Sequence, residues 1–82
     1  MSEEHVVYML KCGDDSIYTG YTTDVARRLE EHRNGDGAKY TRGRTPLELV
    51  YTESYASRSE ALAREAALKQ MTRNEKLALV DR

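Results

Sequence analysis

Val6-Val7-Tyr8-Met9-Leu10-Lys11 and Ile17-Tyr18-Thr19-Gly20-Tyr21, joined by Cys12-Gly13-Asp14-Asp15-Ser16, form the stretch that decides the fold. Both runs are dense in β-branched and aromatic residues, which suit a pleated surface. Gly-Asp-Asp between them is turn chemistry, so the stretch reads as a β-hairpin. Side chains alternate faces along a strand, so loop length decides which residues meet. A two-residue loop, Asp14-Asp15, sets Gly13 against Ser16 and sends Tyr8 and Tyr18 to opposite faces. A three-residue loop, Gly13-Asp14-Asp15, sets Cys12 against Ser16 and Leu10 against Tyr18. The two tyrosines then share a face as diagonal neighbours. Glycine suits the left-handed position that three-residue loops need, although here it comes first in the loop. Both registers stay open at this level; a shared tyrosine site requires the odd loop.

Outward from the hairpin, Met1–His5 reads as a short polar tail with His5 solvated. Thr22-Thr23-Asp24 offers side-chain oxygens for a helix N-cap, and a helix over Val25–Arg33 follows. Asn34-Gly35 stops it, with glycine the natural residue past a helix end. Val25 and Leu29 mark its buried stripe, with His32 close in angle. Asp36–Pro46, rich in glycine and holding the only proline, is a loop. Leu47–Tyr55 alternates in part (Leu47, Leu49, Tyr51) and reads as a third strand. Ser57-Arg58-Ser59-Glu60 has capping-box spacing, and the helix it opens runs to about Met71, with Ala61, Leu62, Ala66 and Leu68 apolar. Thr72-Arg73-Asn74-Glu75 repeats that spacing before a final helix, Glu75–Val80, whose Leu77, Leu79 and Val80 are core or interface. The order β-β-α-β-α-α predicts an α/β (α+β) fold, a small three-stranded antiparallel sheet flanked by helices.

At 82 residues the chain reads as one small domain, 1–82. With no Trp or Phe, six tyrosines carry all the aromatic mass. Cys12 is the only cysteine, which excludes an internal disulfide and a multi-cysteine zinc site. No apolar run suits a bilayer span and no signal peptide is visible, so a soluble cytoplasmic protein is the default. The net charge of −1 argues against a general nucleic-acid coat. Its distribution says more: residues 1–24 carry a net −4, residues 27–45 a net +3, and residues 46–82 balance. A local basic patch steers a phosphate backbone even on a near-neutral protein; the plainer alternative is a solvated basic loop.

Arg28 and His32 are i,i+4 neighbours on one helix face. Arg27 lies about 100° around from Arg28 and pairs more naturally with Glu31. On the second long helix Glu60 is occupied as a cap. Glu65 lies roughly 140° away among Ala61, Leu62 and Leu68. A carboxylate flanked by apolar positions must be paired, protonated or bound to a cation; Arg58 and Lys69 are its candidate ion partners. Tyr21, Tyr51 and Tyr55 read as packing residues.

Val6-Val7-Tyr8, then Tyr18-Thr19-Gly20, Arg28-x-x-x-His32 and Arg64-Glu65 together resemble the GIY-YIG endonuclease superfamily over nearly the whole chain. The segment Gly37–Pro46 and the run Ser57–Lys69 are similar to its small stand-alone bacterial members. They resemble less closely the catalytic domain of eukaryotic branched-DNA structure-selective nucleases. Two positions depart: Val6-Val7 stands for the Gly-Ile of the first motif, and Thr19 for the central Ile of the second. The resemblance implies a catalytic set of Tyr8, Tyr18, Arg28, His32 and Glu65, with one Mg²⁺ (or Mn²⁺) held by Glu65. It implies hydrolysis of DNA or RNA phosphodiesters, in branched or single-stranded DNA during repair or recombination. In that scheme Tyr8 is the general base and Tyr18 positions the water, or the roles are exchanged. Arg28 stabilises phosphoryl charge, and His32 orients a tyrosine. Lys39, Tyr40, Arg42 and Arg44 would grip the strand, with Tyr40 able to stack on a base or merely to cover the core. The alternative is a non-catalytic nucleic-acid-binding module that acts with a protein partner, because the chain has no separate targeting domain.

Overall fold

The hairpin closes through Gly13-Asp14-Asp15: the Cys12 amide donates to the Ser16 carbonyl at 2.9 Å, and Leu10 faces Tyr18 across the ladder. This is the odd loop that a shared tyrosine face needs. The left-handed residue is Asp15 (φ 67°), not Gly13. Asp14 stabilises the turn by accepting hydrogen bonds from the Ser16 amide at 3.1 Å and the Ser16 hydroxyl at 2.6 Å. Gly13 is small for another reason. A Cβ there would sit 2.2 Å from the Thr45 carbonyl oxygen, because the loop before the third strand crosses directly over it.

The structure, a computed structural model, describes residues 4–80. Its elements are β1 (His5–Lys11), β2 (Ile17–Thr22), α1 (Val25–Arg33), a single 3₁₀ turn (Lys39–Thr41), β3 (Glu48–Tyr55), α2 (Arg58–Lys69) and α3 (Arg73–Val80). The sheet is antiparallel in the order β2-β1-β3. The expected α+β architecture and element order hold, with the 3₁₀ turn added inside the expected loop. Residues 1–3 of the expected tail lie outside the described residues. His5 is no part of a tail: it opens β1, and its Nδ1 lies 2.8 Å from the Tyr21 hydroxyl.

β1 is the central strand, and Val6–Leu10 are all buried. One face gathers Tyr8, Leu10, Cys12 and Leu47, with Tyr18 and Leu29 against them. The other face carries Val7, closed by Ala61 and Leu68 of α2 and bordered by Tyr21, Tyr55, Met71 and Leu79. A strand buried on both faces must be apolar at every position, which explains the unbroken run Val6–Leu10. The partial alternation of β3 has a local cause. Met9 faces Tyr51 while Leu10 faces Leu49, so Val50 is an extra residue that shifts the register. Leu49 consequently stays 36% exposed, not on one face with Tyr51 as its spacing implied.

The helix signals act as expected. Asp24 caps α1 by accepting from the Arg27 amide at 3.1 Å, and Gly35 beyond its end is left-handed at φ 82°. Ser57 caps α2 and bonds Glu60. Thr72 and Glu75 form a reciprocal box, 3.2 and 2.9 Å, at the start of α3.

Candidate active site

Tyr8 and Tyr18 project from adjacent strands onto the face covered by α1, their ring centroids 6.3 Å apart. Gly20 stands directly across from Tyr8, and the absence of a side chain there leaves room for the phenol. A Cβ on Gly20 would meet the Tyr8 oxygen at 2.5 Å. From α1, His32 enters between the two rings, edge-on to Tyr18 at 5.2 Å and to Tyr8 at 5.8 Å. It is 1% exposed. Its Nε2 lies 2.7 Å from the Tyr8 hydroxyl, and its Nδ1 lies 2.8 Å from the Thr41 hydroxyl.

The direction of this chain depends on which imidazole nitrogen carries the proton. The Thr41 hydroxyl has one proton and donates it to the Ala38 carbonyl at 3.0 Å. Its oxygen accepts from His32 Nδ1 when the ring proton sits on that nitrogen. The Ala38 amide also donates to Nδ1 at 3.4 Å, a bond that fits the tautomer with the proton on Nε2. Burial and the nearby Arg28 charge hold the His32 pKa below its ordinary value, which favours the neutral ring. With the proton on Nδ1, Nε2 accepts from the Tyr8 O–H; with the proton on Nε2, the imidazole donates to the phenol oxygen.

Burial pushes the Tyr8 phenol up to about 12, against the pull of the Arg28 guanidinium, while the Tyr18 and Glu65 charges add to the rise. Burial also disfavours the Arg28 charge, but hydrogen bonding with Glu31 and Tyr8 outweighs it and raises the Arg28 pKa. Arg28, not Arg27, is the partner of Glu31, at 3.1 Å. Glu65 sits on α2, which packs against the opposite, Val7 face of β1; it has no hydrogen bond to Tyr8, Tyr18, Arg28 or His32 among the described residues and reaches the phenol only through its charge. Its side chain is only 18% exposed, and its ion partner is Lys69 at 3.4 Å, one of the two partners its spacing suggested.

The loop after α1 forms one wall. Tyr40 lies 5.7 Å from the Tyr18 ring and is 42% exposed. Arg44 stacks on Tyr40 at 4.3 Å and pairs with Asp14. Lys39 and Arg42 are exposed, with no salt-bridge partner among the described residues.

Among the described residues, no three of His, Cys, Asp and Glu group as a metal cage. That donor set does not suit structural zinc. The single half-buried carboxylate of Glu65 does suit Mg²⁺, which keeps most of its waters and takes one or two carboxylates plus substrate oxygens.

Sequence reasoning missed two features. Thr41 looked like one more polar loop residue but is buried at 1%. The signal was Gly37-Ala38 ahead of it: a Cβ on Gly37 would sit 2.4 Å from His32 Nδ1, so small residues let this loop close over the imidazole. The second is Glu53, which receives Arg64 at 2.9 and 3.1 Å and the hydroxyls of Tyr55 (2.6 Å) and Tyr51. Tyr51 and Tyr55, expected only to pack, thus anchor a polar network that ties β3 to α2, and Tyr21 is tied to His5. Burial opposes the Glu53 charge, but Arg64 and the two phenols bring its carboxyl down to about 2.

Residues 4–78 match the family described as the GIY-YIG catalytic domain. A UPF0213 protein of Halobacterium salinarum is 60% identical over 92% of this chain and 97% of its own length. One from Haloquadratum walsbyi is 54% identical over 99% and 91%. The solution NMR structure of a UPF0213 protein from Bacillus halodurans is 51% identical, covers 95% of this chain and 83% of that one, and superposes with a TM-score of 0.62. With the family match spanning nearly every residue and relatives this similar end to end, the chain belongs to the GIY-YIG family of nuclease domains.

Proposed function

We propose that this protein is a single-domain, cytoplasmic, divalent-metal-dependent endonuclease that hydrolyses DNA phosphodiesters in branched or single-stranded structures arising in repair or recombination. The observation that most supports this reading is the 2.7 Å contact between the buried Tyr8 phenol and a neutral His32 Nε2. A phenol held up to about 12 is fully protonated at neutral pH, so it acts as a base only if its own proton has somewhere to go. His32 Nε2 provides that acceptor.

In this mechanism Tyr8 takes a proton from the attacking water as it passes its own to His32, and the hydroxide adds to phosphorus. The bond from phosphorus to the 3′ oxygen breaks, leaving a 5′-phosphate and a 3′-hydroxyl protonated from solvent. Arg28 faces the phosphoryl oxygens, where its planar fork offsets their charge. Tyr18 positions the water. Thr41 and the Ala38 carbonyl hold the imidazole in the tautomer that leaves Nε2 open. Glu65 would hold the Mg²⁺ or Mn²⁺, which supplies Lewis-acid polarisation of the phosphate and of the leaving oxygen. The exposed Lys39 and Arg42, with Arg44 and Tyr40, position the strand.

The test is cleavage of labelled branched and single-stranded DNA, with matched RNA, in the presence of Mg²⁺ or of a chelator. Cutting should need the metal and should fall about 10²-fold or more in Tyr8→Phe and in Glu65→Gln. If the wild-type chain binds these substrates but does not cut them, and Glu65→Gln leaves binding unchanged, the chain is a non-catalytic binding module instead. The net charge of −1 and the engagement of Glu65 by Lys69 are the features that favour that second reading.

A further inference from the structure

A recess of about 270 Å³ opens at the free edge of β2, lined by Ile17, Tyr18, Thr19, Tyr40, Lys69 and Lys76. It shares the Tyr18 and Tyr40 wall with the site described above but takes its charge from α2 and α3. Two of its features are unsatisfied without a ligand. Thr19 is 2% exposed, and its hydroxyl has no hydrogen-bond partner. A buried hydroxyl left unpaired is unfavourable and rare. Lys69 and Lys76 also bring two positive charges to one opening. Lys69 has Glu65 at 3.4 Å, but Lys76 has no salt-bridge partner among the described residues. Burial and the Lys69 charge both work against the Lys76 ammonium. An anion relieves both strains at once, because it accepts from the Thr19 hydroxyl and offsets the two ammoniums. The rest of the lining, Ile17 and the exposed Tyr40 ring, suits a sugar and a base.

We propose that this recess is a second phosphate subsite, holding a nucleotide of the substrate strand next to the one cut, its phosphate on Thr19, Lys69 and Lys76 and its base against Tyr40. That the strand is also cut rests on the nuclease reading; the binding does not. In this scheme Lys69 links the two sites, since the residue that bridges Glu65 also faces the neighbouring phosphate.

The experiment is an NMR titration of the full chain, free of metal, with 5′-phosphorylated thymidine dinucleotide. The signals of Thr19 and Lys76 should shift and saturate together, and Lys76→Gln should weaken binding at least several-fold. With an oligothymidylate, Lys76→Gln should also reduce the dependence of log affinity on log salt by about 0.7, the loss of one phosphate contact on a single strand. Thr19→Val guards against simple misfolding. It keeps the side-chain shape and removes an unpaired hydroxyl, so its Tm should hold or rise while dinucleotide affinity falls. Shifts confined to the loop of Lys39 and Arg42, or unchanged affinity in both variants, would overturn the subsite. Because no metal or cleavage is involved, failure of the nuclease assay leaves this outcome independent.

Discussion

Gly20→Ala adds one methyl group where the packing of the site is most exposed to test. The new Cβ would lie 2.5 Å from the Tyr8 oxygen, 2.6 Å from its Cζ and 3.0 Å from Tyr18 Cε2. Ordinary contact begins at 3.4 Å, so the phenol must retreat by about 0.9 Å. It has nowhere to go, because Tyr8 is 2% exposed and His32 stands 2.7 Å from its hydroxyl. Overpacking of a filled core costs about 1–3 kcal/mol, and losing the hydrogen bond to His32 adds about 1 kcal/mol. Gly20 is not in the left-handed region, so alanine meets no backbone strain and even gains roughly 0.5–1 kcal/mol of strand propensity. The net expectation is a loss of about 1–3 kcal/mol, which in a domain this small lowers Tm by roughly 5–20 °C. If Tyr8 is the base proposed above, cleavage should fall about 10²-fold, the consequence of displacing it by about 1 Å. The assay is a double-mutant cycle with Tyr8→Leu, read by thermal melting and urea denaturation. Once the phenol is gone the methyl has room, so Gly20→Ala should turn neutral or stabilising in that background. If it destabilises both backgrounds equally, the close approach of Gly20 to the phenol is not what makes glycine necessary, and the packing argument for the site fails.

Three further outcomes follow from the buried polar groups. Thr41→Val removes the hydroxyl that His32 Nδ1 bonds at 2.8 Å and should cost about 1–3 kcal/mol in urea denaturation, whereas Thr41→Ser should retain most of the stability. Because the His32 pKa is lowered by folding, its contribution is present above the ordinary value of 6.5 and lost as pH falls below it; denaturation midpoints measured from pH 7.5 downward should drop, by no more than about 1.4 kcal/mol per pH unit from this group. Arg64→Ala should destabilise by about 1–2 kcal/mol, discounted because Arg64 is 31% and Glu53 18% exposed. The Glu53 contribution is present above 4.5 and lost as pH falls toward about 2, so the acid transition of Arg64→Ala should begin at higher pH than that of the wild type.

What the sequence made legible was whatever is settled by neighbours along the chain. The bounds of α1 follow from Asp24 at one end and Asn34-Gly35 at the other, each acting within a few residues. The two capping boxes are equally local. The hairpin register was open by one residue because two loop lengths fit the same composition. Asp14 chose between them by capturing Ser16, with Asp15 tolerating the left-handed conformation that glycine was expected to take. Tyr8, Tyr18 and His32 could be proposed as a group because strand alternation and helical spacing place side chains on known faces, and the structure gathers them on one face.

What stayed hidden depended on contacts between segments. The Glu53 network could not be read from β3, since the extra residue at Val50 resets the alternation by which a strand declares its inward face. Thr41 was hidden for a more instructive reason. A threonine in a glycine-rich basic loop has every mark of a solvated residue, and only the crowding of Gly37 against the imidazole reveals that this loop is a lid on the histidine. The consequence bears on the chemistry. If the loop that carries Lys39, Tyr40 and Arg42, the proposed grip on the strand, also sets the proton on His32, then engaging the strand and setting the proposed base are mechanically joined. Disturbing the loop at Gly37, far in sequence from either tyrosine, should then change the pH dependence of cleavage and not only its affinity. A Gly37→Ala variant that weakened strand binding yet kept the wild-type pH profile would separate the two roles.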